Sequence, residues 1–111
     1  MSVYKQFFFL NNDLGMSKGR AFAQVSHMTQ VIVEEIKDAQ YQIHPPPKYC
    51  FDYMKWKKEP IVVVLKASGE DLVELLKLDG ARKFVDEEEL TVVGFLPTDT
   101  MQDIAGKYKL F

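Results

Sequence analysis

Near the start of the chain, Tyr4 to Leu10 (YKQFFFL) carries three consecutive phenylalanines and a leucine with no polar residue between them. Of all stretches this one most restricts the fold. An apolar run without alternation suits a strand buried on both faces. Such a strand has to lie inside a sheet, and the sheet has to be covered on each side.

The rest of the chain supplies the cover. After a turn at Asn11 to Met16, apolar residues recur at three- and four-residue spacing, which predicts a helix from Lys18 to about Ala39 or Gln40 with Ser17 as its N-cap. Its core-facing stripe is Ala21, Phe22, Val25, Met28, Thr29, Ile32 and Ile36, with a second stripe of Arg20, Gln24, His27 and Val31 beside it. Tyr41 to Pro47 ends in three prolines and reads as a loop. Lys48 to Lys58 reads either as a short core helix with a solvated basic rim or as an aromatic and basic surface suited to single-stranded nucleic acid.

Pro60 to Lys66 (PIVVVLK) is a β-branched strand, and Ser68 with Asp71 caps a helix ending near Leu78 to Gly80. Strands follow at Arg82 to Asp86 and Leu90 to Leu96, joined by the charged run Glu87 to Glu89. A last short helix, capped by Thr98 or Thr100, runs to Ala105 and stops at Gly106. This order predicts an α/β fold, a three-layer α/β/α domain over residues 1–111 around a small four-stranded mixed sheet with some parallel neighbours.

At 111 residues the chain has room for one core. A net charge of −2 argues against broad nonspecific nucleic-acid binding, which needs many phosphate neutralisations, but it permits a local basic site. Cys50 is the lone cysteine, so a disulfide within the chain and a Cys–Cys metal site are excluded, and a reducing, cytoplasmic compartment is expected. The N-terminus lacks the pattern of a signal peptide and no apolar run is long enough to span a membrane, so no membrane partner is expected.

The first helix opens with Lys18, Gly19 and Arg20. Two cations in a first turn oppose the helix dipole. They are either solvated surface residues or, with Ser17 and the free backbone N–H groups, part of a site for a phosphate or a developing oxyanion. Gln24 and His27 lie on the polar line where a cleft would be lined; an ordinary surface amide and a partly buried, satisfied imidazole are the structural readings of the same positions.

Asn12, Asp13, Leu14, Met16, Lys18, Gly19, Arg20, Ala23, Gln24, Ser26 and His27 together resemble the signature R-x-D-L-x-M-G-K-G-K-x-A-A-Q-C-S-H of the type 2 peptidyl-tRNA hydrolases, with Ser17, Arg20 and Val25 standing for Gly, Lys and Cys. Trp56 with Glu59 to Lys66, Thr91 to Pro97 and Asp103 to Phe111 are similar to later segments of that family. The resemblance implies a mixed sheet with helices on both faces and hydrolysis of the ester joining a peptide to the 3′ acceptor end of tRNA. It implies no metal or organic cofactor, and a homodimer.

One region departs from the family's D-A-G-R-T-Q-I. Counting back from Thr91 without a gap puts Asp79, Gly80, Ala81 and Arg82 on D-A-G-R but Lys83 and Phe84 on Thr and Gln, an alignment read as deleting the strand at Arg82 to Asp86. Keeping that strand, read as a central one whose loss would leave much of the sheet edge unpaired, abandons the motif and leaves Asp86 as the acid near the right place. The implied catalytic set is then Lys18, Gln24 and His27 with Asp86 or Asp79, or else Asp13, while Arg20, Ser17 and Gly19 bind substrate. The altered motif keeps open a catalytically weak or inactive member that serves as an RNA-binding or protein-interaction module.

Overall fold

The computed structural model describes residues 3–111. Strand β1 (Lys5–Asn11) lies at the centre of a mixed sheet, parallel to β2 (Ile61–Ala67) and antiparallel to β4 (Glu89–Phe95). The edges are β3 (Ala81–Asp86), antiparallel to β4, and β5 (Lys109–Leu110), antiparallel to β2, giving the order β3-β4-β1-β2-β5.

The phenylalanine run is divided between two cores, because successive side chains on a strand point to opposite faces. Phe8 and Leu10 pack with Met28, Ile32 and Ile36 of α1 (Lys18–Gln42) and with Cys50 of α2 (Lys48–Lys58). Phe7 and Phe9 pack on the other side with Leu72 and Leu75 of α3 (Gly69–Leu75) and Ala105 of α4 (Gln102–Ala105). Helices therefore cover both faces, as a central strand of this composition requires.

Four details differ from expectation. The sheet has five strands among the described residues, since Lys66 and Leu65 pair with Lys109 and Leu110; two exposed residues are too short a pattern to read as a strand. Phe22 is 62% exposed, because the core takes the narrower stripe Ala21, Gln24, Met28, Ile32 and Ile36 of α1. Neither Thr98 nor Thr100 caps α4: the hydroxyl of Thr98 accepts from the backbone N–H of Thr100 instead, and Met101 takes the cap position with no side-chain bond. Strand β3 is an edge strand, not an interior one.

Candidate active site

The C-terminal end of β1, the N-terminus of α1 and the tip of the β3–β4 hairpin meet at one end of the sheet. Asn11 ties the end of β1 to the hairpin, its Nδ2 donating to the carbonyl of Leu90 at 2.9 Å, while its side-chain oxygen accepts from the N–H of Asp13 in the turn that follows β1. Ser17 caps α1 by accepting from the N–H of Arg20 at 3.2 Å.

The second stripe of α1 lies against alternate residues of β3. Arg82 donates to both carboxylate oxygens of Glu35 at 2.7 and 2.6 Å, the His27 ring sits 5.2 Å from that of Phe84, and Asp86 Oδ2 accepts from Gln24 Nε2 at 3.0 Å. The Arg82 hydrogen bonds hold the Glu35 carboxyl below its ordinary value against the opposing effect of burial, and Glu35 in turn raises Arg82. Charge, aromatic and amide thus mark three successive rungs between helix and strand.

A β-bulge completes the site. Phe84 pairs with Val92 but Val85 with Leu90, so Thr91 is an extra residue on β4. Leu90 packs into the α3 core while both Thr91 and Val92 face α1, breaking the alternation a regular strand would impose. Thr91 Oγ1 donates to Gln24 Oε1 at 2.9 Å, with the carbonyl of Phe84 at 3.2 Å as a second acceptor for the same proton. With a hydroxyl donor on one side and a carboxylate on the other, the Gln24 amide has only one satisfied orientation.

Burial separates these groups by role. Gln24 is 3% exposed and Thr91 fully buried, whereas the side chains of Asp86 and Arg20 are 39% and 34% exposed. Arg20 lies 3.6 Å from Asp86 and 3.5 Å from Glu89. Lys18, Gly19 and His27 are exposed, and a Cβ added to Gly19 would meet nothing within 4 Å, so packing does not demand glycine there.

Lys18, Arg20, Gln24, His27 and Asp86 are therefore brought to one end of the sheet, with Ser17 and Gly19 in the turn beside them. Asp79 is not: it precedes β3 at the opposite end from Asp86, and Gly80 there accepts from the N–H of Leu96. Asp13 accepts from the N–H of Gly69 at 2.8 Å and so ties the turn to α3. Because β3 begins at Ala81, the strand and the ungapped count from Thr91 coexist, and keeping the strand never required abandoning the Asp79 to Arg82 correspondence. Thr91 was absent from the sequence-derived set; a buried hydroxyl at a bulge leaves no periodic trace.

Among the described residues no helix is long and apolar enough to cross a membrane. The chain is 29% identical over 122 aligned positions to the bovine (Bos taurus) protein "Peptidyl-tRNA hydrolase 2, mitochondrial", an alignment that takes in 97% of this chain and 64% of the relative. The chain thus spans less than two thirds of that protein's length. The sequence model of the family described as "Peptidyl-tRNA hydrolase PTH2" matches residues 4–111, and with nearly every residue inside that match the chain belongs to this family.

Proposed function

We propose that the chain hydrolyses the ester bond of peptidyl-tRNA, releasing peptide and free tRNA, at the end of the sheet where α1 begins. The observation that carries this reading is the linked set Thr91–Gln24–Asp86, which runs from a buried hydroxyl to a carboxylate open to solvent. Ester hydrolysis needs a held water, a proton acceptor and positive charge for the carbonyl oxyanion.

Asp86 is the acceptor in this scheme, since its carboxylate is open to solvent and is held by the buried amide of Gln24. Gln24 is too deeply buried to hold the water itself; it acts as a positioning residue that fixes Asp86, and Thr91 fixes Gln24. Lys18 supplies charge to the oxyanion or to a phosphate. Arg20 is the phosphate clamp: exposed ion pairs at 3.5 and 3.6 Å contribute about 0–1 kcal/mol, so a phosphate can take the guanidinium from Asp86 and Glu89. Ser17 and Gly19 shape the backbone that a phosphate would approach. His27, exposed over Phe84, is a second candidate base on the same rim.

Release of labelled peptide from a peptidyl-tRNA by the purified chain tests the reading, beside Lys18→Ala, Asp86→Asn and Gln24→Ala. Expected are turnover by the wild type, a loss of two or more orders of magnitude in Asp86→Asn and Lys18→Ala, and a smaller loss in Gln24→Ala. Absence of wild-type turnover with tRNA binding retained selects the binding-module reading, which the Lys83 and Phe84 departures from the family motif favour. A homodimer belongs to the same proposal and is read by light scattering. The cytoplasmic placement rests on the single buried thiol of Cys50.

A further inference from the structure

Helix α2 turns one face to solvent whose chemistry the proposed site does not use. Phe51, Met54, Lys55 and Lys58 follow the i, i+3, i+4, i+7 spacing of a single helix face, and all four are exposed, Phe51 to 52% and Met54 to 57%. The inward faces are occupied by buried Cys50 and by Tyr49 and Tyr53, which pack against the α1 core. Lysines in a last turn suit the helix dipole. The dipole gives no reason to leave a phenylalanine and a methionine in water beside them.

Charge selects the occupant. The α2 segment holds Lys48, Lys55, Lys57 and Lys58 against the single acid Asp52, in a chain whose net charge is −2. Lys48 is taken by Asp52 at 3.1 Å, while no ion pair of Lys55, Lys57 or Lys58 is found among the described residues. Lys55 lies over the Tyr4 ring at 5.5 Å and Lys57 over the Tyr53 ring at 5.6 Å, contacts that leave their charge uncancelled, so the ammonium groups match the phosphates of an RNA backbone while the exposed ring and thioether lie against its sugar edges.

Position adds a constraint. Trp56 Nε1 donates to the carbonyl of Ile61, and Ile61 pairs with Lys5, so the last turn of α2 lies at the N-terminal end of β1. The candidate site lies past the C-terminal end of that strand, six steps of roughly 3.3 Å or about 20 Å away. A ligand whose end is held at Lys18 and Asp86 reaches α2 only with its body.

We propose that the Phe51, Met54, Lys55, Lys58 face of α2 is an RNA-binding surface that holds the body of the tRNA, away from the scissile ester. That the ligand is tRNA rests on the hydrolase reading. The test uses two double variants, Lys55→Gln with Lys58→Gln and Phe51→Ala with Met54→Ala, all at exposed positions outside the candidate site. Fluorescence anisotropy with deacylated tRNA is expected to show a 5- to 20-fold loss of affinity in each, and in the lysine variant a salt dependence shallower by about 1.5, near 0.7–0.9 per lost phosphate contact. KM for peptidyl-tRNA is expected to rise with kcat unchanged, and turnover of a short peptidyl-adenosine ester, which cannot reach α2, to stay at the wild-type level.

Unchanged tRNA affinity and salt slope in both variants would overturn the proposal. So would a shift from dimer to monomer in Phe51→Ala with Met54→Ala at unchanged tRNA affinity, which would assign the face to a second copy of the chain. The two readings fail separately: if the wild type hydrolyses neither ester yet the α2 variants still lose tRNA affinity, the surface stands and the hydrolase does not.

Discussion

Gln24 Nε2 and Asp86 Oδ2 meet at 3.0 Å across 62 residues of sequence, joining the signature helix to the tip of a hairpin. The amide's other end is fixed by Thr91 at 2.9 Å, so the carboxylate inherits its orientation from a fully buried hydroxyl.

Thr91→Val keeps the shape and removes that hydroxyl. Gln24 Oε1 is then buried without a donor, which costs about 1–3 kcal/mol. Denaturant titration should register that loss. If turnover is present in the wild type, it should fall while KM for peptidyl-tRNA stays put, because the change acts on the position of Asp86 and leaves the binding groups alone. Wild-type stability in Thr91→Val would dismiss the hydrogen-bond chain.

Gly19→Ala separates folding from ligand approach. Gly19 lies in the first turn of α1 with open space where a Cβ would stand, so alanine should raise stability by about 0.5–1 kcal/mol through lower backbone entropy in the unfolded chain. If a phosphate comes close to this backbone, the same methyl weakens tRNA binding several-fold. A variant that is more stable and binds tRNA equally well would remove Gly19 from the binding set.

Glu87 and Glu88 sit at φ 50 and 67, joining β3 to β4 in a two-residue turn. Positive φ at both central positions is what a type I′ turn needs, and Asn-Gly adopts it with far less strain than two glutamates. Glu87→Asn with Glu88→Gly should raise the melting temperature by several degrees, corresponding to about 1–2 kcal/mol. A lower melting temperature would contradict the turn geometry.

Acid should loosen the rung between Glu35 and Arg82. The folded-state carboxyl of Glu35 titrates below its ordinary value of 4.5, so the folded protein binds fewer protons than the unfolded chain between the two values. Its contribution is complete above the unfolded value and is lost as pH falls through the folded one. Both side chains are about a third exposed, which limits the pair to about 1 kcal/mol. Urea midpoints of wild type and Glu35→Gln should converge as pH is lowered below 4.5 and stay apart at neutral pH; a constant gap would assign the difference to packing.

Much of the fold is legible in the sequence where runs are long or caps are explicit. The Phe7 to Leu10 run marks the central strand, and Ser17 and Ser68 mark two helix starts, because those signals are local. Lys109 and Leu110 are illegible as a strand: only the neighbouring β2 makes two exposed residues a ladder. Phe22 misleads because an apolar residue on a broad stripe need not be on the buried part of it. At the site, Gln24 and Asp86 could be singled out as residue types, but their meeting depends on which side of the sheet the hairpin turns its alternate residues. Thr91 escapes any periodic reading because the bulge that aims it is a break in the period.

That bulge makes the site a matter of odd and even. One residue fewer in β4 before Val92 would restore strict alternation, swing the hydroxyl into the opposite core among the α3 leucines, and leave the Gln24 amide oxygen facing hydrocarbon. The two turn residues Glu87 and Glu88 can be exchanged freely by comparison. The arrangement at this end of the sheet is therefore guarded by the parity of the residue count in β4 as well as by the Asp86 carboxylate itself.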